Sequence, residues 1–163
     1  AAREFSKDFV DLYLRMVYAC AEQDRDAIIY YSKELGFLTG FENKTMLDAH
    51  TAAAFVVGEP FSTKFKTYNF REQNVSGRTA SFGKTLMENR LCPPPVEAYA
   101  LHRRLSGAYL TCMKLQAVIP CRDMLLDLYK RLPEAQGIDS EIAQSKSKQR
   151  GVSLASDVYE VAT

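Results

Sequence analysis

The stretch 90–112, RLCPPPVEAYALHRRLSGAYLTC, decides how this chain is read. Pro93, Pro94 and Pro95 exclude a helix interior. The last of them suits a first helical turn, where a missing N–H and a fixed φ cost nothing. No breaker follows before Pro120. Ala98, Leu101, Leu105, Ala108, Cys112 and Leu115 recur at spacings of three and four, which places them on one helical face. Glycine inside a helix costs about 1 kcal/mol relative to alanine, so the small run Ser106-Gly107-Ala108 predicts that another backbone lies close. The expectation is a long central helix running to Ile119, delivered by a proline hinge and packed tightly against its neighbours.

Outward from this stretch the chain reads as further helices. Ser6 is a predicted N-cap for a helix carrying Phe9, Tyr13, Met16, Val17 and Cys20 on one face. Asp24 predicts a second cap, with Gly36 as its natural stop. Phe37–Phe41 is an apolar link with no evident partner strand. A third helix is predicted from Asn43, with Met46, Leu47, His50, Ala53, Ala54 and Val57 in register and Gly58 and Pro60 ending it. Residues 61–77 read as a long irregular loop, and a weaker fourth helix covers about Thr79–Leu91, with Phe82, Leu86 and Met87 inward. Pro120 opens a last helix striped by Met124, Leu125, Leu128, Tyr129 and Leu132. The class is all-α, about six helices over residues 1–133. Residues 134–163, rich in Ser, Ala, Gln and charge, are expected to be a disordered tail.

Composition excludes several classes of function. Of 163 residues, 47% are hydrophobic and 25% charged, which suits one soluble domain or most of one. A net charge of +1 gives no global pull toward nucleic acid or acidic membranes. No apolar run approaches the roughly 20 residues of a membrane span. The start AAREFSKDF has neither an apolar core nor the acid-poor character of a targeting peptide. It lacks an initiator Met, so an internal piece of something longer is expected. Cys20, Cys92, Cys112 and Cys121 form no CxxC pair and read as reduced, mostly buried thiols. Two glycosylation triplets, at Asn43 and Asn74, read as chance matches in the absence of a secretory signal.

The search for chemistry returns structural readings. Five residues separate Gly77 from Gly83-Lys84-Thr85, whereas a phosphate-binding loop needs four and a preceding strand; this is read as a polar turn entering a helix. His50 and His102 have no ligand partner at helical spacing and read as structural histidines. Phe61, Phe65, Tyr68 and Phe70 interleave with Lys64 and Lys66, a pattern able to clamp single-stranded nucleic acid. With the net charge near zero, a loop folded back onto the domain is the better reading. Arg103-Arg104 and Lys146–Arg150 read as solvated charge, and nothing near Cys92 activates its thiol. No nucleophile motif or acid–base pair emerges.

The same central stretch resembles the C-terminal part of the aarF-domain-containing, or UbiB-type, atypical kinases, with its animal mitochondrial branch the best match. Further matching segments are Ala2-Arg3-Glu4-Phe5, Phe37–Glu42 (FLTGFE), Asp48-Ala49-His50, Gly58-Glu59-Pro60-Phe61 and Cys121-Arg122-Asp123, which together cover about residues 1–132. The chain departs from the family at Ala2, where threonine is usual, and over residues 62–87. The resemblance implies the helical C-lobe of a protein-kinase-like fold. In the family, the segment resembling Ala1–Phe5 follows the metal-binding Asp-Phe-Gly tripeptide, so the groups that position nucleotide and Mg²⁺ are expected upstream. No catalytic, cofactor-binding or metal-binding residue is carried over to this chain. For the parent the resemblance implies ATP and Mg²⁺, a mitochondrial location on the matrix side of the inner membrane, and a role in ubiquinone biosynthesis. Its partners would be the proteins and lipid intermediates of the biosynthetic complex and the membrane surface, with no nucleic acid. The alternative expectation is a non-catalytic helical module that binds partners of that complex through Phe37–Phe41 and Phe61–Phe70.

Overall fold

A computed structural model describes residues 4–131, the last by its backbone alone. The expected tail at 134–163 lies outside the described residues. The helices are α1 (Lys7–Glu22), α2 (Arg25–Glu34), α3 (Lys44–Gly58), α4 (Phe70–Gln73), α5 (Val75–Ala80), α6 (Gly83–Asn89), α7 (Val96–Lys114) and α8 (Cys121–Arg131). A 3₁₀ turn at Glu59–Phe61 extends α3. The one sheet among the described residues pairs β1 (Tyr68–Asn69) antiparallel with β2 (Val118–Ile119). The all-α class holds.

The predicted caps are in place. Ser6 accepts from the Phe9 N–H at 3.2 Å, Asp24 from Ala27 at 3.0 Å and Asn43 from Met46 at 2.8 Å. Gly36 closes α2 in the left-handed conformation at φ 80°, with the Phe37 N–H bonded to the Ser32 carbonyl. The same terminating motif ends α1 at Gln23 (φ 58°) and α7 at Gln116 (φ 54°). At Gln116, the Ala117 N–H reaches back to the Cys112 carbonyl at 2.9 Å. α7 therefore stops short of Ile119, and the chain turns into β2.

Two expectations about the middle of the chain are corrected. Residues 61–77 hold β1, α4 and the start of α5, because their aromatic rings build core and do not lie in a loose loop. The fourth helix is broken in two at Ser81-Phe82, and Met87 points to solvent at 84% exposure.

α7 is not the centre. Only Ala98 and Tyr109 of its residues are buried, while Ser106, Gly107 and Ala108 are exposed. A Cβ added at Gly107 would meet nothing within 4 Å, so no neighbouring backbone explains that glycine. The close approach lies at Gly58, where an added Cβ would sit 2.4 Å from the carbonyl carbon of Cys20. α1 and α3 cross there nearly backbone to backbone. Around this crossing lie Ala19, Cys20 and Ile28 on one side and Val56, Tyr68, Phe70 and Tyr109 on another. Leu14 and Tyr18 of α1 meet Leu125 and Tyr129 of α8. Met124 and Leu128, expected inward on α8, face solvent instead, since its buried line runs Cys121, Leu125, Tyr129 at spacings of four.

Polar bonds tie these clusters together. Tyr129 Oη donates to the Leu14 carbonyl at 2.6 Å, and Tyr109 Oη to the Val57 carbonyl at 2.7 Å. Arg122 donates to Glu22 at 2.9 Å and to the Phe61 carbonyl at 3.0 Å, with its guanidinium 5.2 Å from the Tyr18 ring centre. Both side chains of that ion pair are about 15% exposed, so it is a buried pair whose partners depend on each other.

Candidate functional site

A cavity of about 270 Å³ lies between α1, α3, α6 and α7, with Phe37 from the α2–α3 link in its wall. α1 supplies Met16, Val17 and Cys20, and α3 supplies His50, Ala54 and Val57. α6 and α7 supply Leu86, His102, Leu105 and Ser106 to its wall.

Helical spacing alone sets His50 and His102 apart as unrelated; the fold brings both to this cavity. Phe37 lies between them, its ring centre 5.5 Å from that of His102 in a stacked arrangement and 6.5 Å from that of His50. Tyr13 approaches His102 at 6.3 Å and stacks on Phe9, which stacks on Phe5. His50 Nε2 lies 2.8 Å from Ser32 Oγ. Burial, then the charge of Arg90, holds the His50 imidazole down at about 4, against a smaller opposing pull from Glu42. His102 is shifted down by the same two causes, although one side of it is open to solvent. His50 is therefore neutral at physiological pH. Burial pushes the Tyr13 phenol and the Cys20 thiol up to about 12, so neither ionises. Among the described residues lining the cavity, Arg90 alone carries formal charge. Its Nε is buried and has no hydrogen-bond partner.

The other residues singled out in the sequence find structural positions. Tyr68 and Phe70 are buried, and Phe65, Tyr68, Phe70 and Tyr109 form a chain of edge-on and tilted rings. Lys64 and Lys66 are exposed, and Lys64 Nζ donates to Gln23 at 2.9 Å. This is the folded-back loop of the packing reading, and its aromatics present little surface to a partner. In the other apolar segment, Phe37 and Leu38 are buried and Phe41 is 88% exposed. Glu42 ties down that link by accepting from the N–H groups of Thr39 and Gly40 and from the Thr39 hydroxyl. Burial pushes its carboxyl up, but these bonds together outweigh it and hold the carboxyl below the usual range. Asn43 and Asn74 act as helix caps. Cys92 Sγ lies 3.7 Å from the carbonyls of Gly36 and Phe37, and all four cysteines are free thiols.

Over 131 residues, 80% of this chain, the sequence is 44% identical to the Rattus norvegicus protein named atypical kinase COQ8B, mitochondrial. It is 38% identical over 143 residues, 87% of the chain, to the Caenorhabditis elegans atypical kinase coq-8, mitochondrial. Identity to the Saccharomyces cerevisiae atypical kinase COQ8, mitochondrial, is 35% over 130 residues, 79% of the chain. This chain belongs to the UbiB-type family of atypical kinases. No family model matches it. The alignments cover 25%, 19% and 26% of the relatives' own lengths, so the UbiB-type chain spans about a quarter of the proteins it matches. Their names agree with the mitochondrial location implied by the resemblance.

Among the described residues no three His, Cys, Asp or Glu side chains converge to hold an ion. Gly77 and Gly83 lie inside α5 and α6, so the segment between them offers no loop of N–H groups to a phosphate. Lys84 points to solvent, 3.8 Å from Glu88. No helix among the described residues is long and apolar enough to cross a membrane.

Proposed function

We propose that this chain is the helical C-terminal portion of a UbiB-type atypical kinase or ATPase that supports ubiquinone biosynthesis on the matrix side of the mitochondrial inner membrane. ATP and Mg²⁺ belong to the whole protein and are held by residues outside this chain. The chain's own part is to form the base of the C-lobe, an assembly made stiff by the α1–α3 crossing at Gly58 and the Glu22–Arg122 pair. The observation that carries the reading is the 44% identity over 80% of the chain to a mitochondrial atypical kinase.

The test is complementation. In a yeast strain lacking its own COQ8, the protein carrying this chain together with its upstream kinase motifs restores ubiquinone, measured by mass spectrometry. Residues 1–163 alone restore none and hydrolyse no Mg²⁺-ATP above background. Ubiquinone restored by 1–163 alone would place the function in this chain and overturn the division of labour. Failure of the longer protein would remove the ubiquinone role.

A further inference from the structure

Arg103-Arg104 is the only Arg-Arg pair in the chain, and Ser106 stands two residues beyond it. All three residues are exposed. Among the described residues the Ser106 hydroxyl has no hydrogen-bond partner, whereas the hydroxyl of Thr111 on the same helix donates to the Gly107 carbonyl at 2.9 Å. Two guanidiniums placed three and two residues ahead of a free hydroxyl form a charge pattern. A protein-kinase cleft lined with carboxylates reads such a pattern through charge-assisted hydrogen bonds. Ser81 shows the contrast. Arg78 precedes it by three residues, but that guanidinium is paired with Glu59 at 2.6 Å, and the Ser81 hydroxyl donates to the Arg78 carbonyl at 2.6 Å.

A helix stands in the way of such recognition. A kinase cleft reads the acceptor and its neighbours one after another along an extended segment, with the hydroxyl in line with the γ-phosphate. This part of α7 is built to yield. Its buried residues are Ala98 and Tyr109, and none lies between them. Gly107 falls in that stretch, where a Cβ would meet nothing within 4 Å, so it makes no close packing contact. A glycine inside a helix favours the open chain about fivefold relative to alanine. α7 begins only at Val96, after three prolines. Opening from that end as far as Ser106 gives up Ala98 as its one buried side chain, while Tyr109 keeps its bond to the Val57 carbonyl. Few buried contacts of this kind mark a segment that opens locally ahead of the rest of the fold.

We propose that Ser106 is a phosphorylation site for a basophilic serine/threonine protein kinase, which takes it when the first part of α7 opens. In the transfer, Ser106 Oγ forms a bond to the γ-phosphorus of ATP as the bond from that phosphorus to the β,γ-bridging oxygen breaks. ADP leaves, and the hydroxyl proton passes to the base of the modifying kinase. The phosphate adds about −1.5 to −2 of charge one helical turn from Arg103 and His102, in the cavity wall that Ser106 and His102 share. The site requires no catalysis by this chain, so it stands apart from the kinase reading of the parent.

The test uses the full-length protein carrying this chain, incubated with Mg²⁺-ATP and the catalytic subunit of cAMP-dependent protein kinase, and read by tandem mass spectrometry. Samples without the added kinase report any self-modification. Phosphate is expected on Ser106 and not on Ser81, with the initial rate at least tenfold lower in Arg103→Ala. Gly107→Ala, which firms the helix, is expected to slow the reaction about fivefold, because a site reached through fast local opening is modified in proportion to its open population. A peptide of residues 100–110, with and without Gly107→Ala, reports any direct effect of that methyl group on the kinase, and the protein rates are divided by the peptide rates. A peptide that is modified while Ser106 of the protein is not would overturn the proposal, as would a rate indifferent to Arg103. An unchanged protein-to-peptide ratio in Gly107→Ala would refute the opening of α7.

Discussion

Replacing Gly58 by alanine should loosen the protein through a single methyl group. The added Cβ would lie 2.4 Å from the Cys20 carbonyl carbon, 2.5 Å from its Cβ and 2.6 Å from its carbonyl oxygen. Carbon atoms rest at about 3.5–4.0 Å, so α1 and α3 must part by about 1 Å. The obstructing atoms are the Cys20 carbonyl and its Cβ, fixed by the backbone of a buried turn of α1, and cannot rotate away. Overpacking of this kind costs about 1–3 kcal/mol, and a backbone collision belongs at the upper end. Alanine recovers at most about 1 kcal/mol through helix propensity. The net expectation is a loss of about 2 kcal/mol, roughly a thirtyfold fall in the folded-to-unfolded ratio. The same substitution at Gly107, where a Cβ meets nothing within 4 Å, should stabilise by up to about 1 kcal/mol. Urea denaturation followed by circular dichroism at 222 nm reads both midpoints on one protein. A neutral or stabilising Gly58→Ala would refute the backbone crossing, and a destabilising Gly107→Ala would restore the tight contact on α7.

Arg122→Met removes the guanidinium that serves Glu22 and the Phe61 carbonyl, and should cost about 3 kcal/mol by taking this cation from a buried carboxylate; adding Glu22→Gln should recover part of it in the same denaturation assay. Tyr109→Phe deletes the bond to the Val57 carbonyl and should cost about 1 kcal/mol with the far-ultraviolet spectrum unchanged. The His50 imidazole is held at about 4 in the folded chain against 6.5 unfolded. Above pH 6.5 it is neutral in both states and contributes nothing. Below that the unfolded chain takes the proton first, so stability falls between pH 6.5 and 4 by up to about 3 kcal/mol. His50→Gln should flatten that part of the pH profile, and an unchanged slope would show that other groups set it.

Much of the architecture was legible because local chemistry specified it. Ser6, Asp24 and Asn43 carry cap side chains, and Gly36 carries the freedom to take φ 80°. The end of α7 was illegible for the complementary reason. Gln116 adopts the left-handed conformation that glycine usually supplies, and nothing in its side chain announces this. The glycines were misread in both directions: Gly107 looked like a packing residue and is open, while Gly58 looked like a helix stop and is the tightest contact described. Spacing along one helix cannot report a crossing with another, so that information lies in the tertiary fold. The aromatics at 61–70 show the opposite case, since their packing followed from charge balance and they are indeed core.

The cavity was hidden in the same way. Phe5, Phe37, His50 and His102 fall in four different matching segments, each weak alone. In space they lie on one line of rings. Phe5 stacks on Phe9 and Phe9 on Tyr13; Tyr13 then meets His102, His102 stacks on Phe37, and Phe37 approaches His50, each centre within 6.5 Å of the next. The line begins at Phe5, just ahead of α1, and ends at His50, hydrogen-bonded to Ser32 in α2. Rings in such contact favour certain offsets and tilts, so a change in one is felt by the next. An aliphatic wall would enclose the same volume with less orientational demand. Segments far apart in sequence are thus tied to one another by a shared surface, and it is this surface, with Arg90 set into it, that the fold of this chain assembles.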